Sequence, residues 1–287
     1  MPVYRDYDQA ELDAQYNNRA AVPGYARWSE RWPVASAEAR QHLAGRLDVP
    51  YGAAAAERLD IFPAARPQSP VLLFIHGGYW RANDKSSFSF VASGYVEAGV
   101  SVVAVGYPLA PRVTLDALTE SIRRAVGWVH RNAGSFGADP ARIHVSGHSA
   151  GGHLTAMMLS TEWTARGLPG DVVKGGAAIS GIYDLEPIRL SYLNADVRLD
   201  AAMAERNSPL LLVPDKAAAL ILTVGGRETD EFRRQQEIYG EAWHGAGLPL
   251  ELVPMPEDQH FSILDAFAAP ASPLFSAVLR QIGSLGS

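Results

Sequence analysis

The chain has 287 residues, 47% hydrophobic and 20% charged, with a formal net charge of -6 at pH 7. That length suffices for a large core, and nothing in it forms a basic stripe for nucleic acid or a like-charged tail. Without cysteine there is no disulfide, thiolate metal site or Cys nucleophile, and no apolar run approaches the ~18 residues of a membrane helix.

The start, Met1-Pro2-Val3-Tyr4-Arg5-Asp6, has no apolar h-region and reads as mature sequence. The expectation is a cytoplasmic enzyme with a small-molecule substrate, no nucleic-acid or membrane partner, no cofactor and no metal; a homodimer is left open. Residues 1–45 are polar and punctuated by Tyr4, Tyr7, Tyr16, Tyr25, Trp28 and Trp32. Asp8 is placed to cap a helix reaching Asn17, with Leu12 and Tyr16 on one face. A second helix is expected over 36–44, ended by Gly45. So many aromatics ahead of the first strand suit a lid over a catalytic domain of residues 46–287, and suit equally a segment that packs on its surface.

Residues 46–51 and 58–62 alternate as a strand pair. The run Val71-Leu72-Leu73-Phe74-Ile75 is continuously apolar, the pattern of a strand buried on both faces of a parallel sheet. It leads straight into His76-Gly77-Gly78-Tyr79-Trp80. A helix over 88–98 and a strand over 100–105 follow. Thr114 then caps a long helix whose apolar positions (115, 118, 122, 125, 126 and 129) keep the 3.6-residue period. Strand 142–146 meets a helix carrying Leu154, Met157 and Met158 inward, where a Met pair fills core. Strands over 172–180, 220–224 and 250–253, helices over 230–244 and 273–282, and an irregular stretch over 185–215 complete the chain. Strands alternating with helices predict one α/β domain, a mostly parallel eight-stranded sheet with helices on both faces.

The chemistry centres on Gly147-His148-Ser149-Ala150-Gly151 between strand and helix. Gly-x-Ser-x-Gly in that setting is the nucleophile elbow of α/β-hydrolases. The serine stands on a sharp turn, the flanking glycines let backbone pass close by, and the helix that starts there turns free N–H groups toward a nascent oxyanion. Serine needs a base, and the base needs an orienting acid. In this fold they follow in the order Ser, Asp/Glu, His. Of the later histidines, His153 sits one turn along the elbow helix and His244 near the end of another, whereas His260 lies in a loop after the last strand and is the expected base. The acid belongs on Gly225-Gly226-Arg227-Glu228-Thr229-Asp230-Glu231; Asp230 is preferred and Glu228 is the alternative, with Asp230 also suited to a helix start. Oxyanion donors are expected from the backbone N–H of Ala150 and of Gly77 and Gly78. His76 has no partners at metal-ligand spacing and reads as structural.

The segments His76-Gly77-Gly78-Tyr79-Trp80, Tyr107-Pro108-Leu109-Ala110-Pro111, Gly147-His148-Ser149-Ala150-Gly151-Gly152-His153, Ser180-Gly181-Ile182-Tyr183-Asp184-Leu185-Glu186-Pro187 and Thr229-Asp230-Glu231-Phe232 together resemble the kynurenine formamidases (arylformamidases), in the hormone-sensitive-lipase-like branch of the α/β-hydrolases. Tyr16-Asn17-Asn18-Arg19 is similar to that family's N-terminal segment. The lipase branch proper has a third glycine where Tyr79 stands and an Asp where His148 stands. The resemblance implies Ser149 as nucleophile, Asp230 as acid, His260 as base, and Tyr79 and Trp80 at the substrate pocket, with Tyr183 a further aromatic suited to it or to plain packing. The implied reaction is hydrolysis of an N-formyl arylamine such as N-formylkynurenine. A carboxylesterase for short-acyl, aryl or carbamate esters would use the same residues, and a binding protein on an inert hydrolase scaffold is a third reading.

Overall fold

A computed structural model describes residues 1–283. Its centre is a sheet of eight strands, β1 (Arg46–Pro50), β2 (Arg58–Phe62), β3 (Ser69–Ile75), β4 (Ser101–Val105), β5 (Ala138–His148), β6 (Val173–Ile179), β7 (Ala219–Thr223) and β8 (Leu250–Leu252), in the order β1-β2-β4-β3-β5-β6-β7-β8. β2 runs antiparallel to β1 and β4; every other pair is parallel.

The continuous apolar run in β3 is explained by what lies on its two faces. Val71, Leu73 and Ile75 point into one core with Leu118, Ile122 and Val126 of the helix Leu115–Asn132 and with Leu154 and Met158. Leu72 and Phe74 point into the other, with Phe88, Tyr95, Phe267 and Phe275. Side-chain period two thus serves two cores, each fully buried large side chain contributing about 1.5–3 kcal/mol.

Several elements depart from the expected pattern, three of them in the helices that pack on the sheet. The helix expected over 36–44 is Ala26–His42 and contains Pro33. Proline inside a helix costs ~3 kcal/mol, but Trp28, Trp32, Ser36 and Ala39 form one buried face at helical spacing, and that tertiary packing outweighs the local penalty. The expected helix over 88–98 divides into a 3-10 segment, Lys85–Val91, and the α-helix Ala92–Glu97. The helix Ser262–Ala268, immediately after His260, had no capping signal; its Ile263, Leu264 and Phe267 are buried.

The N-terminal segment is joined to the main body by buried polar contacts. Tyr16, fully buried, donates its hydroxyl to Glu231 (3.1 Å) and accepts from Gln235 (3.2 Å). The indole N–H groups of Trp28 and Trp32 both donate to Asp265, at 2.9 and 2.8 Å. Among the described residues no single helix is long and apolar enough to cross a membrane. β3, β5, β7 and β8 all lead their following loops to the carboxyl edge of the sheet, where open α/β sheets carry their sites.

Candidate active site

Ser149 follows β5 with φ 59° and ψ -119°, a left-handed conformation for a residue with a side chain. Such a backbone costs roughly 1–3 kcal/mol and persists only where its surroundings enforce it. Here they do. The Ser149 N–H donates to the Ile179 carbonyl at 2.8 Å. A Cβ at Gly147 would stand 2.2 Å from the Gly151 carbonyl oxygen, and one at Gly151 1.9 Å from that of Ile75. Glycine at both flanks is therefore a packing requirement. The helix Ala150–Leu159, buried along its whole length, starts directly at the turn.

His260 reaches the same edge from the loop after β8. Its Nδ1 is 2.6 Å from Glu228 Oε2. The other carboxylate oxygen, Oε1, accepts from the Ser180 hydroxyl (2.5 Å) and the Gly225 N–H (2.8 Å). The expected acid, Asp230, is corrected by this geometry. Asp230 is the first residue of the helix Asp230–Gly245, and its exposed carboxylate pairs with Arg233. The turn closed by Glu228 N–H on the Gly225 carbonyl (3.0 Å) folds Glu228 back under the imidazole before that helix begins.

The imidazole of His260 is held by rings as well, with Phe232 and His148 each 4.6 Å away between centroids. His148 is fixed through its Nε2–H, which donates to the His260 carbonyl at 2.7 Å. Burial, and then the neighbouring His260, pushes the His148 imidazole well below the usual histidine range, so it stays neutral and keeps one N–H for that bond. Ser149, His148 and His260 line one cavity of about 630 Å³. His153 takes no part: it accepts from the Trp80 indole (3.1 Å) and donates to the Asn207 carbonyl (2.7 Å). His244 is exposed.

Gly77 and Gly78 bring backbone against the nucleophile turn. A Cβ at Gly77 would lie 3.0 Å from the Ser149 Cβ and 2.8 Å from the His148 carbonyl oxygen, and Gly78 has φ +125°. Among the described residues the amide N–H groups of Gly77, Gly78 and Ala150 have no backbone acceptor. His76 is held between the rings of Phe88 and Tyr107, at 5.5 and 4.3 Å, and burial pushes its imidazole down to about 4. No group of three or more metal-ligating side chains occurs among the described residues.

The three aromatics expected at the pocket divide. Tyr79 lines the cavity; its hydroxyl donates to the Tyr16 carbonyl (2.7 Å) and accepts from Asn18 (3.1 Å). Trp80 and Tyr183 are fully buried and lie away from the cavity wall. Trp80 points at His153, and Tyr183 stacks on Tyr239 at 4.2 Å. Both are core residues: the turn at Tyr79 and Trp80, each with positive φ, sends those two side chains different ways, and Tyr183 is drawn inward by its stack on Tyr239. Ser180 and His148 are further functional residues, supporting the acid and the base loop. Their only sequence signal is position, Ser180 directly after β6 and His148 directly before the elbow serine.

A mostly parallel sheet with an antiparallel second strand, and a strained serine between its central strand and a buried helix, define a serine hydrolase of the α/β-hydrolase fold. Over 99% of both chains the sequence is 32% identical to the kynurenine formamidase of Danio rerio. The chain belongs to the kynurenine formamidase family. The family model BD-FAE matches residues 59–180. A solved structure from Silicibacter sp. TM1040, described provisionally as a thioesterase, is 32% identical, with a TM-score of 0.81 over 93% of this chain and 98% of that one. A thermophilic carboxylesterase from a metagenomic library shares the fold at 20% identity, with a TM-score of 0.74 over 91% of this chain and 96% of that one.

Proposed function

We propose that the protein hydrolyses an N-formyl arylamine of the N-formylkynurenine kind to formate and the free amine. The observation that carries this reading is the 2.6 Å contact of His260 Nδ1 with Glu228, with His260 sharing a cavity wall with Ser149, in a chain whose full-length relatives include kynurenine formamidases. Ser149 Oγ attacks the formyl carbon while His260 Nε2 takes its proton. The N–H groups of Gly77, Gly78 and Ala150 stabilise the oxyanion, each such donor being worth ~3 kcal/mol in the transition state. The C–N bond breaks as His260 returns the proton to the leaving amine nitrogen. Water, deprotonated by His260, then attacks the formyl-enzyme, and the Ser149 oxygen leaves with that proton as formate departs. Glu228 holds the tautomer with Nδ1–H and stabilises the imidazolium between steps.

A formyl group needs little room on the acyl side, so the cavity is free for the aryl leaving group. The segment 1–45 contributes Tyr16, Asn18, Tyr25 and Trp32 to the cavity wall, which supports its reading as a lid over the catalytic domain 46–287. A cytoplasmic location belongs to the same proposal. Activated aryl esters fit the same open cavity and make the second reading. Formate release from N-formylkynurenine, compared with cleavage of p-nitrophenyl acetate, separates the two: a higher kcat/KM on the formamide is expected, and a strong preference for the ester rejects the proposal.

A further inference from the structure

The cavity wall carries three formally charged side chains, Arg19, Arg81 and Asp196, besides its histidines. Arg81 and Asp196 are paired with each other. Arg19 has no acidic partner among the described residues. The wall is thus cationic by one charge in a chain of net charge -6, and that charge lies on the cavity that also holds Ser149. Its neighbours in the Tyr16-Asn17-Asn18-Arg19 segment are accounted for. The Tyr16 carbonyl accepts from Tyr79, Asn18 donates to the Tyr79 hydroxyl, and the Asn17 side chain accepts from the Ala20 N–H at 3.3 Å. These bonds fix the backbone on both sides of Arg19. Its guanidinium lies over the Tyr25 ring, 5.2 Å from the centroid, and Tyr25 packs on Phe261 at 4.7 Å. A stacked guanidinium keeps its N–H edge available, and that edge matches a carboxylate in a fork.

We propose that Arg19 is a specificity-determining residue that binds a carboxylate on the leaving group, so that the preferred substrate is an aryl formamide whose amine portion carries a carboxylate. This deepens the formamidase reading and rests on it. Arg19 takes no part in bond making. It selects by charge from the cavity wall.

The test uses the full chain, wild type and R19Q, with two formamides of the same aromatic core: 4-(2-formamidophenyl)-4-oxobutanoate, the deamino form of N-formylkynurenine, which has the carboxylate, and 2-formamidoacetophenone, which does not. R19Q is expected to raise KM for the first about tenfold with kcat little changed, the size of one charge-assisted hydrogen bond. It should leave kcat/KM on the second within about twofold, which also reports that the variant is folded. R19K should recover part of the loss, and added salt should erode the wild-type preference but not that of R19Q. Equal effects of R19Q on both formamides, or none on either, would overturn the inference. If wild type cleaves neither formamide but does cleave aryl esters, the formamidase reading fails instead. The charge selection is then read on 4-acetoxybenzoate against phenyl acetate, where an R19Q effect on both or neither again overturns it.

Discussion

His148, the residue before the elbow serine, donates its Nε2–H to the backbone carbonyl of His260 at 2.7 Å. One side chain thereby ties the nucleophile turn to the loop that carries the base. Replacing it by phenylalanine keeps the ring and removes the donor, so the loop loses its anchor at the reacting end. H148F is expected to lower kcat about 10–100-fold with a small change in KM, the signature of misplacement rather than lost binding. Steady-state kinetics on a neutral aryl ester, beside a circular dichroism melt, check it.

The acid is decided by a pair of variants. E228Q keeps the size of the side chain but loses the charge beside His260, and should lower kcat/KM by roughly 10³–10⁴-fold. D230N alters only an exposed pair with Arg233 and should stay within about threefold of wild type, as surface pairs are worth ~0–1 kcal/mol. A large loss in D230N with an active E228Q would reverse the assignment.

S149A should abolish labelling by a fluorophosphonate and reduce turnover to the level of binding and oxyanion donors alone. S149G should unfold at higher denaturant than wild type, by about 1 kcal/mol, because glycine adopts φ 59° with little strain. Equal stability of wild type and S149G would mean that the elbow stores no strain.

Stability should depend on pH through buried histidines. Burial holds His76, His144 and His153 down to about 4 in the folded protein, against ~6.5 when unfolded. Their neutral forms favour the fold fully above pH 6.5. As pH falls from 6.5 through 4 the unfolded chain binds protons that the folded one refuses, and each histidine removes up to about 1.4 kcal/mol per pH unit. Urea unfolding at pH 7.5, 6 and 5 should show this decline, and H153Q should make it shallower by one histidine's share. A midpoint independent of pH over that interval would contradict the burial argument.

Asp265 accepts both indole N–H groups of the helix Ala26–His42. D265A leaves both indoles and Arg31 without their shared acceptor and frees the segment that borders the cavity. A loss of about 2–3 kcal/mol and faster proteolysis within residues 20–45 are expected. Unchanged protease resistance would show that packing of Trp28 and Trp32 suffices alone.

The elements that could be read from sequence are those whose signal is local. The apolar run of β3, the cap at Thr114, and the strand–serine–helix turn are each written in a few adjacent residues, and the order of Ser149 and His260 along the chain follows from strand order. Glu228 and Asp230 could not be separated in this way. They stand two residues apart at a loop–helix junction, and the choice depends on a turn closed at Gly225 and on the Ser180 hydroxyl arriving from another strand. Trp80 and Tyr183, as aromatics, suit a pocket and a core equally, and only the positive φ at Tyr79 and Trp80 and the stacking partner Tyr239 decide which. Composition and pattern therefore determined the fold and the chemical kind of the site. Tertiary structure decided which carboxylate faces the imidazole and which rings face the cavity, because a side chain's direction is set by contacts with residues far away in the chain.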